Sequence, residues 1–169
     1  PCQPELPEMQ FILACIRSVF HPDAIRSFPA NGIAALAWDK VLAIARQHRL
    51  RPLLFQILRA NSIQPVPTEV CLQLETCYLA NAARISQLNH TMLQLLSLCA
   101  THQVRALPWR GIVLAHDVYP DPVLRLFDDL DFLIHPQDLP RAINLLTHAG
   151  YAPLHPLTEA QRRAYLLTG

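Results

Sequence analysis

The sequence predicts an α+β fold: a helical region over residues 1–102, followed by a small α/β core over residues 103–169. Up to His102, apolar residues recur at helical spacing. After it, short apolar runs cut by glycine and proline alternate with helical pieces. The composition is 51% hydrophobic and 16% charged, the balance of a chain that buries a core. A chain of 169 residues suits one domain or two small ones. Chains of that size typically bury roughly 70% of their unfolded surface.

In EMQFILACIRSVF, Met9, Ile12, Leu13, Ile16, Val19 and Phe20 have the spacing of an amphipathic helix. HPDAIRSFPANG is rich in turn residues. WDKVLAIARQHRLRPLLFQILRA is a second helical region interrupted near Pro52, which fits two helices or one kinked helix. NSIQPVP breaks the pattern again. Pro67, Thr68 and Glu69 then open a long helix to about Thr101 with no internal proline or glycine. Its apolar positions, from Val70 and Leu74 through Ile85 and Met92 to Cys99, form a packing face rather than a cofactor surface. Beyond His102, VRAL, GIVLAHDVY, LFDDLDFLI, LPRAINLLTHAG, YAPL and TEAQRRAYLL read as strand, helix, strand, helix, strand and helix. The chain has no internal repeat and no low-complexity segment.

A formal net charge of +1 gives no overall electrostatic case for a nucleic-acid or membrane-surface binder. The basic cluster RQHRLR, residues 46–51, reads as a solvated helix face ahead of an RNA contact. The five cysteines never fall in a CxxC spacing, which suits reduced, buried apolar residues of a cytosolic protein. No apolar run approaches the roughly 20 residues of a membrane helix, and no secretory leader pattern opens the chain. A soluble, untargeted, cytoplasmic protein with no membrane partner is therefore expected. The chain starts at Pro1 without a methionine and stops at Gly169 just after a helix-like segment, as a fragment or processed product would.

The chemistry concentrates in WRGIVLAHDVYPDPVLRLFDDLDFLI. Side chains alternate along a strand, so Asp129, Asp131 and Leu133 share one face, while Asp128, Leu130, Phe132 and Ile134 share the other. Two carboxylates within about 7 Å on one face repel each other and resist desolvation unless a cation neutralises them. Magnesium, which favours carboxylates together with substrate phosphates, is the natural partner. An isolated Asp-x-Asp reads first as a wet edge strand. The upstream turn shifts that balance. Gly111, between a strand and a helix, lets a phosphate approach the backbone, and Arg110 adds a fixed charge beside it. Gly111 alone is an ordinary turn, and neither a Walker loop nor a dinucleotide fingerprint is present.

Other arrangements carry less. His116, Asp117 and Asp121 lack a further ligand at zinc spacing, and His116 reads as a surface or packing residue of a short helix. Cys99 with His102 has helical spacing, but Cys99 belongs to the apolar face. Trp109, at a strand end, reads as packed before it reads as stacked on a base.

The array RGIVLAHDVYPDPVLRLFDDLDFLI, followed by DLPRAINLLTHAGY, resembles the nucleotidyltransferase family 5-like proteins, a largely uncharacterised branch of the polymerase β-type nucleotidyltransferase superfamily. Members carry a Lys-Gly turn, a helix ending in a Tyr and an Asp-Pro, an Arg, and an Asp-x-Asp strand. Arg110 and Gly111, then Tyr119, Asp121 and Pro122, then Arg125, then Asp129 and Asp131 stand at those positions. AIARQHRLRPLLFQIL extends the resemblance over most of the chain, from about Trp38 onward.

The resemblance implies a small mixed sheet flanked by helices, with the helical N-terminal part packed against it. It implies transfer of a nucleoside monophosphate from a nucleoside triphosphate to an acceptor. Asp129 and Asp131 would hold two Mg2+ ions, Gly111 and the following N–H groups would cradle the triphosphate, and Arg110 and Arg125 would offset its charge. Arg110 replaces the family's lysine, keeping the charge but presenting a planar fork. The superfamily's third carboxylate has no strand-like position here. Asp138 and Glu159, the only carboxylates after Asp131, sit where helices begin and suit capping or first-turn roles. The third acidic strand is expected beyond Gly169, which makes the α/β core truncated at its C-terminal end. The acceptor is open among a small molecule, a peptide, a protein and RNA. A catalytically inactive binding or adaptor protein is the alternative.

Overall fold

Helical periodicity dominates the computed structural model, which describes residues 6–154 apart from Pro22 and Ser27, together with Thr158 and Ala160. The helices are α1 (Pro7–Ser18), α2 (Asp23–Arg26), α3 (Ala30–Ala34), α4 (Trp38–Gln47), α5 (Arg51–Ala60), α6 (Thr68–Thr101), α7 (Gly111–Asp117) and α8 (Leu139–His148). Two strands, β1 (Ala106–Trp109) and β2 (Asp131–Ile134), flank α7, and 3-10 turns form at Pro122–Leu124 and Pro136–Asp138. The fold class is α+β, as the sequence predicts. Among the described residues no helix is long and apolar enough to cross a membrane.

Pro52 separates two helices rather than kinking one. It lies in the first turn of α5, where a missing N–H breaks no helical bond. The turn-rich stretch after α1 winds into the short helices α2 and α3 instead of staying irregular. YAPL forms no strand: the Tyr151 amide is spent closing α8, donating to the Leu146 carbonyl at 2.9 Å. The helix expected in TEAQRRAYLL lies almost entirely outside the described residues. The strand expected over LFDDLDFLI shrinks to its last four residues, because β1 ends at Trp109, opposite Asp131.

The chain forms two compact units. One takes in the chain as far as Gln87 together with Leu114–Asp128; the other takes in Leu88–Val113 and the chain from Asp129 onward. In the first unit Phe11 is fully buried and meets Phe28 and Trp38 edge to face, with centroids 5.3 and 5.7 Å away. Val41 and Ala45 of α4, Leu54 and Ile57 of α5, and Val70 and Leu74 of α6 complete this core. Aromatic edges on ring faces and buried aliphatic side chains supply its cohesion. In the second unit Cys99, Val104 and Ala142 are buried, with Ala106 of β1, Ile134 of β2 and Leu145 of α8 packed against them.

With only four glycines in the chain, other residues turn the left-handed corners. Arg49, Ser62 and Gln103, with φ of 58°, 49° and 55°, follow the ends of α4, α5 and α6. In each case the next residue, Leu50, Ile63 or Val104, donates its N–H back to Ala45, Leu58 or Cys99. These are Schellman closures built without glycine. Among the described residues only α8 uses the usual residue, Gly150 at φ 91°. Arg110, at φ 55°, is the exception: it closes no helix and stands between β1 and α7.

Candidate functional site

β1 and β2 pair antiparallel, with Ala106 opposite Ile134, Leu107 opposite Leu133, Pro108 opposite Phe132 and Trp109 opposite Asp131. Directly opposed residues point to the same side of a sheet. Ala106 and Ile134 turn inward, onto α8 and the end of α6. Leu107, Trp109, Asp131 and Leu133 therefore share the outer side, and both leucines and Trp109 are exposed. The alternation read from the sequence holds for β2: Asp131 goes with Leu133, Phe132 with Ile134. Asp129 lies two residues before Asp131, outside the strand, and is exposed.

The same register brings the turn to the carboxylates. β1 ends at Trp109, so Arg110 and Gly111 leave the sheet at the end where Asp131 enters it. The left-handed residue of this turn is Arg110, at φ 55°, and not the glycine that follows it. A non-glycine residue pays about 1–2 kcal/mol for that conformation, so the surrounding structure must hold it. Gly111 is buried and begins α7; Arg110 is exposed. Arg125 lies in the first unit, half-buried, and its carbonyl accepts from Asn81 Nδ2 at 3.3 Å.

Three residues of α6 grip the segment that leads to the aspartates. Tyr78, Asn81 and Arg84 are spaced three apart, on one side of the helix. The Tyr78 hydroxyl donates to Asp121 Oδ2 at 2.9 Å, and Asp121 Oδ1 accepts the Val123 amide at 3.0 Å, so Asp121 caps the 3-10 turn at Pro122–Leu124. That hydrogen bond to a carboxylate is the main reason the Tyr78 phenol titrates above its ordinary range. Asn81 Nδ2 donates to the Val123 carbonyl at 2.6 Å. Arg84 reaches the Asp128 carbonyl at 3.2 Å and its carboxylate at 3.0 Å, and Arg49 meets the other carboxylate oxygen at 3.2 Å. Sequence reasoning missed this anchor. One hint was present: Arg49 belongs to the basic cluster that read as a solvated face.

The carboxylates of this region thus sort into two kinds. Asp128 is committed to Arg49 and Arg84. Asp138 stands at the N-terminus of α8 but makes no cap hydrogen bond there. Its carboxylate instead accepts from Arg105 Nε at 2.7 Å and the Arg105 amide at 3.2 Å. The Arg105 side-chain bond, then the backbone bond, hold Asp138 below the usual carboxylate range. Asp138 makes this pairing and not the capping bond expected of it, because the oppositely charged Arg105 engages its carboxylate; Glu159 lies outside the described residues. Asp129 and Asp131 are the second kind: among the described residues neither side chain has a hydrogen-bond or ion-pair partner. No third His, Cys, Asp or Glu joins them in a metal-ligating group among the described residues. Two open carboxylates suit a hard cation that completes its shell with water and substrate phosphate. His116 lies on α7 and is exposed.

A family model described as an uncharacterised nucleotidyltransferase matches residues 34–166. Neither the curated proteins nor the solved structures provide a match.

Proposed function

This chain belongs to the uncharacterised nucleotidyltransferase family, and on that footing we propose that it transfers a nucleoside monophosphate from a nucleoside triphosphate to an acceptor nucleophile, with Mg2+ as cofactor. The observation that supports this reading is the meeting of Asp131, unpartnered among the described residues, with Asp129 two residues before it, and the Arg110–Gly111 turn at one end of the β1–β2 pair. Asp129 and Asp131 would ligate the two Mg2+ ions, whose chemistry is to neutralise phosphate charge and align attacking and leaving oxygens. The Arg110 guanidinium, exposed beside them, would pair with phosphate oxygens through its fork of donors. Gly111, at the start of α7, and the N–H groups after it would cradle the triphosphate, the role the resemblance gives them. An acceptor oxygen would attack the α-phosphorus, pyrophosphate would leave, and the acceptor proton would pass to solvent or a base. The acceptor is a small molecule, a peptide, a protein or RNA.

Calorimetric titration of a nucleoside triphosphate with and without Mg2+ tests the reading. Binding that requires Mg2+ and disappears in Asp129→Asn/Asp131→Asn is the expected result; Mg2+-independent binding, or binding that survives the double substitution, contradicts it. The alternative is a binding or adaptor protein that has kept the fold and lost catalysis. Tight Mg2+-dependent binding without pyrophosphate release, whatever acceptor is supplied, would select that alternative.

A further inference from the structure

We propose that Trp109 is the stacking surface for the nucleobase of the bound nucleotide, which makes the outer side of the β1–β2 pair a base platform. This rests on the reading that Asp129 and Asp131 hold a metal-bound triphosphate. An indole at a strand end is ordinarily packed, yet Trp109 is 48% exposed. It shares the outer side with Leu107 and Leu133, which are 59% and 48% exposed. Inward packing is thus left to the opposite side of the sheet, through Ala106 and Ile134.

The occupant follows from what borders this apolar strip. Trp109 is the cross-strand partner of Asp131, and directly opposed Cβ atoms lie about 4.5–5.5 Å apart. Arg110, exposed and in a left-handed turn, comes next in the chain. The strip therefore begins at an open carboxylate and a cation and continues over an aromatic face to a leucine pair. A ligand that fits has a metal-bound polyphosphate at one end and a flat, weakly polar ring at the other, which is a nucleotide. A plain apolar peptide segment would cover the leucines but leave Asp131 and Arg110 without complementary charge. Stacking on a ring face accepts every base and favours the larger ones. The platform accordingly takes any nucleobase and prefers purines to pyrimidines.

Calorimetry with Mg2+ present compares ATP with inorganic tripolyphosphate, on the wild type, Trp109→Ala and Trp109→Phe. Loss of one base–aromatic stack weakens binding on the order of 10-fold. Trp109→Ala is expected to lose that much for ATP and nothing for tripolyphosphate, while Trp109→Phe keeps most of the ATP affinity. ATP is also expected to quench wild-type tryptophan fluorescence where tripolyphosphate does not. Trp38, the only other tryptophan, lies against Phe11 in the core of the first unit. The fluorescence comparison decides the matter even where Trp109→Ala fails to fold. Equal weakening of both ligands, unchanged ATP affinity, or identical fluorescence responses would overturn the base platform while leaving the metal–triphosphate site standing. Absence of Mg2+-dependent binding of either ligand to the wild type would overturn both.

Discussion

Asn81→Ala is expected to destabilise the protein by about 2 kcal/mol, net of opposing terms of this size. Asn81 is 1% exposed, and its amide donates to two carbonyls, Val123 at 2.6 Å and Arg125 at 3.3 Å. Truncation strands both acceptors, each on a half-buried residue, at about 1.5 kcal/mol apiece, the lower part of the range for a buried group, so roughly 3 kcal/mol is lost. Against this, Asn81 Oδ1 is buried without a partner among the described residues. Removing it, and gaining alanine's better helix propensity, returns about 1 kcal/mol. With a urea dependence of about 2 kcal/mol per molar, the unfolding midpoint falls by about 1 M. Asn81→Asp places carboxylate oxygens against the same two carbonyls and should be worse than alanine at pH 7. A midpoint for Asn81→Ala within about 0.25 M of wild type, or an aspartate variant as stable as the alanine one, would show that α6 does not hold the segment through this amide.

Acid should expose the Arg105–Asp138 pairing. Asp138 is depressed in the folded state, so its contribution is complete above the unfolded carboxylate value of about 3.9 and is lost as pH falls through the lower folded value. The stability gap between wild type and Asp138→Asn should therefore close between about pH 4 and more acid conditions, read from urea midpoints; a gap independent of pH excludes the linkage. Arg110→Gly relieves a left-handed arginine and should raise stability by about 1 kcal/mol while weakening Mg2+-dependent nucleotide binding. A thermal melt and a calorimetric titration would move in opposite directions. Cys15 is buried, which pushes its thiol up to about 12. It should resist alkylation at pH 8 in the native state and react only on unfolding, as peptide mapping by mass spectrometry would show.

Several parts of the candidate site were legible because they depend on short-range pattern. The alternation that puts Asp131 with Leu133 on the outer side, and Phe132 with Ile134 on the inner, is a property of any strand. Gly111 opening a helix after a strand was readable from its neighbours. The commitments of the other aspartates were not legible. Asp128 seemed to belong with the apolar side of the strand, but the strand starts three residues later, and Asp128 is held by Arg49 and Arg84. Trp109 read as packed and stands half-exposed.

The sequence by itself determined the helices other than α2 and α3, the proline-marked breaks between them, the approximate places of β1 and β2, and the family. Each follows from periodicity and local backbone chemistry within a few residues. Only the tertiary structure decided which carboxylates are spent and which are open, because the arginines that neutralise Asp128 and Asp138 include residues 44 and 33 positions away. It also decided where the left-handed turns fall. Arg49, Ser62 and Gln103 adopt them because helix-closing hydrogen bonds and a following apolar residue stabilise the corner more than the residue type opposes it. Arg110 adopts one beside Asp131, where the register of two strands, and not the chemistry of arginine, sets the backbone.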